Sequence, residues 1–306
     1  MKEVEKMKKI VLGLLIAVTM ITGFTGCASM KKDALAYEQE KNADGIAVDL
    51  SDNPYYKEKI SGFKYAEAER ISYDSQVTGA TKHARVLLPA DYDEEKDYPV
   101  LYLLHGWGGS DKTWLNKDAD IIIQNLFYLN DVQEMVVVFP NSCVNEEENV
   151  DDMDFGEASV IYDRTEEDIM TSLMPYINEH YSVMTDRDHT AIAGYSLGGK
   201  ESLTTAFRNQ DVFGYVGAFS AVSPIPDANG QGYEPTMEDL VVDEQYGGFH
   251  YVLINVGKDD PYIDGTYVIE DALNRNQIPH TFYVMEGEHE NSVWQNALYN
   301  YMQHIF

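Results

Sequence analysis

Ser196 stands in Ala191-Ile192-Ala193-Gly194-Tyr195-Ser196-Leu197-Gly198-Gly199, a Gly-x-Ser-x-Gly pattern between a short apolar run and a helix-compatible segment, Lys200 to Arg208. A strand that ends, turns sharply and starts a helix at this spacing projects the serine hydroxyl from a strained corner. Glycine flanks the serine because a side chain at either place collides with the neighbouring strand or helix. The helix N-terminus adds N–H groups and partial positive charge where an oxyanion would form. The chemistry implied is nucleophilic attack on a carbonyl. It requires a base, a group that orients the base, and donors for the oxyanion. The pattern alone also describes an ordinary glycine-rich turn, so the other parts must be found elsewhere in the chain.

His289, in Met285-Glu286-Gly287-Glu288-His289-Glu290, follows the last expected strand and precedes the last expected helix. Of the other histidines, His83 and His250 fall within strands, His180 and His304 within helices, and His189 and His280 at strand starts, the opposite edge of a sheet. His105 belongs to a glycine loop. For the orienting acid, Gly257-Lys258-Asp259-Asp260-Pro261 follows the penultimate long strand, and either aspartate can face the imidazole. Pro261 biases Asp260 toward extended backbone but leaves the choice open. One oxyanion donor is expected from the backbone N–H of Leu197. The other is expected from His105-Gly106-Trp107-Gly108-Gly109, with Trp107 best placed.

These residues need strands that end on one edge. Phe63 to Ser75 and Thr81 to Pro89 read as paired strands, and Tyr98 to Leu104 and Glu134 to Pro140 as strands buried on both faces. Tyr215 to Ser220, Phe249 to Val256 and His280 to Met285 continue the set. Ile121 to Leu129, Arg164 to Tyr181, Ile263 to Asn276 and Val293 to His304 suit helices. Strands alternating with helices predict an α/β fold, a doubly wound, mostly parallel sheet flanked by helices, without internal repeats or a second domain.

The chain has 306 residues and a formal net charge of −30, which repels nucleic acid and argues against a polyanion partner. Residues 1–27 read as a secretory signal: four lysines, an apolar stretch from Ile10 to Phe24 too short for a stable span, then Thr25-Gly26-Cys27. The ending resembles a bacterial lipobox, with Phe24 in place of the usual leucine, so Cys27 is the expected lipidation site and the membrane an expected partner. A diacylated cysteine anchors stably. Residues 28–61 read as a polar tether and 62–306 as the catalytic domain. Cys143, left without a disulfide partner, lies among acidic residues that raise its pKa and argue against a second nucleophile.

The stretches Tyr98 to Gly106 with Gly108-Gly109-Ser110 and Trp114, Ser172 to Ile177, Tyr181 to Arg187, Ala191 to Gly199, and His289 to Trp294 resemble the esterase D family, and more closely the feruloyl esterases of carbohydrate esterase family one. The likeness runs from about residue 62 to the end. It implies an α/β-hydrolase fold with Ser196 as nucleophile, His289 as base, Trp107 and Leu197 as oxyanion donors, and no cofactor or metal. It also implies Asp260, because the family's Gly-x-x-Asp matches Gly257 to Asp260. The implied substrate is a feruloylated or acylated polysaccharide or oligosaccharide, met at the extracellular face of a bacterial membrane. Siderophore trilactone and acetyl-xylan esterases share the same motifs, and a carbohydrate-binding surface lipoprotein that has lost chemistry is the non-enzymatic reading. The sequence departs from the pattern at Asn141 to Asp163, a long acidic loop (Glu146, Glu147, Glu148, Asp151, Asp152, Asp154, Glu157) expected near the active-site edge. No spacing in it matches a calcium loop.

Overall fold

In the computed structural model, residues 40–41, 47–50, 56–129, 132–222 and 240–306 are described. The proposed signal, Cys27 and most of the tether lie outside them. Eight strands form one sheet: β1 (Glu69–Asp74), β2 (Thr81–Leu87), β3 (Val100–Leu104), β4 (Val136–Pro140), β5 (Thr190–Tyr195), β6 (Tyr215–Phe219), β7 (Tyr251–Gly257) and β8 (Thr281–Met285). Their order is β8-β7-β6-β5-β3-β4-β2-β1. β2 pairs antiparallel with β1 and β4, and every other pairing is parallel. This is the α/β-hydrolase fold expected from the sequence.

Parallel strands need helical crossovers, and these cover both faces. The helices are α1 (Ala119–Leu129), α2 (Phe155–Tyr162), α3 (Thr165–Asp168), α4 (Met174–His180), α5 (Leu197–Arg208), α6 (Ile263–Arg275) and α7 (Asn291–Met302). The period-2 alternation of β3 divides the core. Leu101 and Leu103 pack with Ile122 and Leu126 of α1 and Val293 and Leu298 of α7. Tyr102 and Leu104 pack on the other face with Leu173, Leu203 and Phe207. No helix among the described residues is long and apolar enough to cross a membrane.

Three expectations are corrected. The segment read as one helix, Arg164 to Tyr181, is α3 and α4 joined by a π-helical turn, Ile169–Leu173. Residues 48–50 and 56–61, read as tether, pack on the fold: Val48 and Tyr56 are buried, and Tyr56 stacks on Tyr299 of α7 with ring centroids 4.7 Å apart. The Asp49 N–H donates to Asn300 Oδ1 (2.7 Å), and Asn296 and Asn300 donate back to its carbonyl. Composition reads this stretch as polar, but paired amides satisfy its backbone in the interior.

The acidic segment 141–163 is the third correction. It is not a plain loop, since it contains α2, started by a reciprocal capping box between Asp154 and Glu157. Cys143, Val150, Ala158 and Tyr162 form a small core with Leu197 and Val222. Buried Lys82 donates to the carbonyls of Asn141 (2.7 Å) and Cys143 (3.2 Å), which fastens the segment's start to β2. Glu146, Glu147, Asp151, Asp152, Asp154 and Glu157 stay on the exposed side. The hydrophobic signal was carried by isolated residues among charges, too sparse to read as a period.

Candidate active site

Strand pairing brings the ends of β3, β5, β7 and β8 to one edge, with Leu104 opposite Gly194 and Gly257 opposite Met285. Ser196 leaves β5 there with φ 56° and ψ −124°, a conformation rare for a residue with a side chain. Its N–H donates to the Phe219 carbonyl (2.9 Å) of the neighbouring strand, which holds the corner. The flanking glycines are required by close approach. A Cβ on Gly198 would lie 2.5 Å from the His105 carbonyl oxygen, and one on Gly194 2.5 Å from the Gly198 oxygen.

The loop after β7 and the loop after β8 are tied together by donation from Asp259 N–H to the Gly287 carbonyl (2.9 Å). Across this junction His289 Nδ1 meets Asp260 Oδ2 at 2.8 Å, and His289 Nε2 meets Ser196 Oγ at 2.9 Å. Asp260 is buried and Asp259 exposed, so the geometry selects the second of the two adjacent acids. Burial pushes the Asp260 carboxyl up. The hydrogen bonds from His289 and from the Tyr262 N–H (2.8 Å) more than offset it and hold the carboxyl below its ordinary value. A carboxylate so placed fixes the imidazole with Nε2 toward the serine, the arrangement that lets the ring take the hydroxyl proton.

Leu197 is the first residue of α5, where a backbone N–H has no acceptor within the helix. Trp107 follows Gly106, and the loop at Gly106 lies against the nucleophile corner: a Cβ there would come within 2.9 Å of Ser196 Cβ. Both expected oxyanion donors therefore border Ser196. His105 is fully buried, and burial lowers its pKa to about 4, which keeps the ring neutral. Cys143 is buried and free, and its thiol is raised first by burial, with Glu148 and Asp151 adding to the rise after it. No group of three or more His, Cys, Asp or Glu among the described residues is arranged to hold a metal.

Ser196 and His289 open into a cleft of about 620 Å³ lined also by Trp107, Thr113, Lys117, Phe155, Tyr262 and Trp294. Trp107 and Phe155 are both exposed, with ring centroids 5.0 Å apart. Tyr262 and Trp294 meet the His289 ring edge-on at 4.9 and 5.0 Å. Lys117 Nζ lies 4.7 Å from the Trp294 ring centroid. Phe155, Tyr262 and Lys117 were not singled out from the sequence, since each enters from a different element and no spacing links them. Among the described residues no carboxylate lines the cleft, although acids outnumber bases by 52 to 22 in the chain.

Comparison with known proteins identifies the family. The Esterase family model ("Putative esterase") matches residues 75–305. An endo-1,4-beta-xylanase/feruloyl esterase of Xylanibacter ruminicola is 26% identical over 271 residues, 86% of this chain and 34% of that protein. Endo-1,4-beta-xylanase Y of Acetivibrio thermocellus is 24% identical over 155 residues, 47% of this chain and 13% of that protein. The chain thus spans about a third or less of these curated relatives. Among solved structures, a CE1 ferulic acid esterase of Anaeromyces mucronatus in complex with ferulic acid superposes with a TM-score of 0.78 at 29% identity, covering 85% of this chain and 97% of that one. The chain belongs to the Esterase family, and its described residues are built on the α/β-hydrolase fold.

Proposed function

We propose that the protein is a serine esterase that releases ferulate or a related hydroxycinnamate from plant cell-wall xylan through an acyl-enzyme. Ser196 Oγ attacks the ester carbonyl as His289 Nε2 takes its proton, and Asp260 holds and charge-stabilises the imidazolium. The Trp107 and Leu197 N–H groups receive the oxyanion. Collapse expels the sugar alkoxide, which takes the proton from His289, and leaves the acyl group on Ser196. A water deprotonated by His289 then attacks the acyl carbon, and Ser196 leaves with the proton to give the free acid.

The observation that carries the reading is the Ser196–His289–Asp260 array opening into a cleft walled by Trp107, Phe155, Tyr262 and Trp294. Faces and edges of these rings suit a planar phenolic acyl group. The names of the similar proteins support the same substrate class. The proposal includes anchoring through Cys27 at the extracellular face of a bacterial membrane, where polymeric wall substrate is accessible.

The test is hydrolysis of methyl ferulate beside p-nitrophenyl acetate, by the full chain and by Ser196→Ala. Ferulate turnover is expected, with kcat lost by on the order of 10⁶-fold in the variant. Acetate turnover alone would refute the hydroxycinnamate assignment and favour an acetyl-xylan substrate. Turnover of neither would leave a siderophore esterase or a carbohydrate-binding lipoprotein, which labelling of Ser196 by a fluorophosphonate separates.

A further inference from the structure

The carbonyl of Gly106 is the other end of the peptide whose N–H belongs to Trp107, and three donors converge on it. Tyr162 Oη donates at 2.9 Å, the Gly109 N–H at 3.2 Å and His105 Nδ1 at 2.7 Å. The tautomer of His105 follows from its other nitrogen. Nε2 lies 3.0 Å from the Ser142 N–H, which only donates, so Nε2 is the bare nitrogen and Nδ1 carries the proton. This works only for a neutral ring, which complete burial enforces. Gly109 has to be glycine for the loop to close this tightly, since a Cβ there would fall 2.3 Å from His105 Nδ1.

In a trans peptide the C=O and N–H point in opposite directions. Three donors that fix the Gly106 oxygen on the buried side therefore aim the Trp107 N–H the other way, toward the cleft and Ser196. Two of the three donors belong to the glycine loop itself. Tyr162 comes from α2, in the acidic segment 141–163, and its hydroxyl also lies 3.4 Å from Cys143 Sγ. We propose that Tyr162 is a positioning residue for the oxyanion hole: its hydroxyl locks the Gly106–Trp107 peptide with the N–H turned to the transition state. The acidic segment thus acts on the rate of the reaction through Tyr162, besides lining the cleft through Phe155.

The inference rests on the serine-esterase reading, and the experiment separates the two. Tyr162→Phe removes one oxygen and keeps the buried ring. Its kcat for methyl ferulate is expected to fall about 10-fold, a fraction of the 10²–10³ seen when an oxyanion donor is removed outright, with KM within twofold. Binding of a trifluoromethyl ketone analogue of the ester, whose adduct carries the oxyanion, should weaken by the same factor as kcat. Val160→Ala, an exposed change on the same helix, should leave all three values unaltered. His105→Gln keeps an acceptor for Ser142 and withdraws the donor from Gly106, so it should repeat the kcat-only loss even if Tyr162→Phe fails to fold. If both Tyr162→Phe and His105→Gln fold with unchanged kcat, or raise KM while analogue binding holds, the positioning role is wrong. If the wild type itself neither turns over ester nor reacts with a fluorophosphonate at Ser196, the esterase reading has failed instead.

Discussion

Asp259 and Asp260 differ by one position and have opposite surroundings. Asp260 is buried with its carboxylate on His289, and Asp259 faces solvent, contributing only its backbone N–H to the junction with Gly287. An amide at position 260 keeps the shape but presents an NH₂ or a neutral oxygen to Nδ1, which favours the wrong tautomer and leaves an imidazolium unsupported. Asp260→Asn is therefore expected to lower kcat by about 10³- to 10⁴-fold with little change in KM. Asp259→Asn, an exposed substitution, should stay within about twofold. Steady-state kinetics of the pair check this, and equal losses would remove the assignment.

The element that carries Ser196 is α5, buried along nearly its whole length between β5, β6 and the acidic segment. Its second turn holds Lys200 and Glu201, both buried. Lys200 Nζ lies 2.5 Å from Asp163 Oδ1 and 3.3 Å from Glu201 Oε1. One ammonium cannot neutralise two carboxylates. Burial pushes Glu201 up, to about 8, and Lys200 offsets this only in part. Between the ordinary carboxylate range and that value the folded protein binds a proton which the unfolded chain has released. Stability therefore falls as pH rises through this window. Glu201→Gln removes the titration, so its stability relative to the wild type should rise by about 1–3 kcal/mol from pH 5 to pH 8. Thermal unfolding across that range reads it, and parallel curves would contradict it.

At the scale of the molecule, most acids among the described residues sit on exposed surface, while the described residues that line the reaction cleft include aromatic rings and the cation Lys117. That division suits a neutral aromatic ester drawn from a polymer. The N-terminal residues complete the proposed arrangement. A full-length chain expressed in a bacterium that processes lipoproteins is expected in the membrane fraction and in the detergent phase on Triton X-114 partition, because two acyl chains suffice for stable anchoring. Cys27→Ser should move it to the aqueous phase without altering ester hydrolysis. An aqueous wild type would set the anchor aside and leave the catalytic proposal untouched.

Much of this was legible in the residues themselves. Continuous apolar runs such as Tyr98 to Leu104 marked buried strands, and the glycines around Ser196 marked the corner, because local sterics and burial act over a few residues. Chain order on one sheet edge then placed His289, and the family pattern pointed to Asp260. Tertiary structure alone decided what depends on contacts between distant segments. It seats Asp49 against Asn296 and Asn300, and it turns the acidic segment into α2 with a packed inner face. It also brings Tyr162 to the Gly106 carbonyl, 56 positions away. A hydrogen bond between far segments is set by how the layers pack, and packing leaves no period in the sequence for such a pair to be read from.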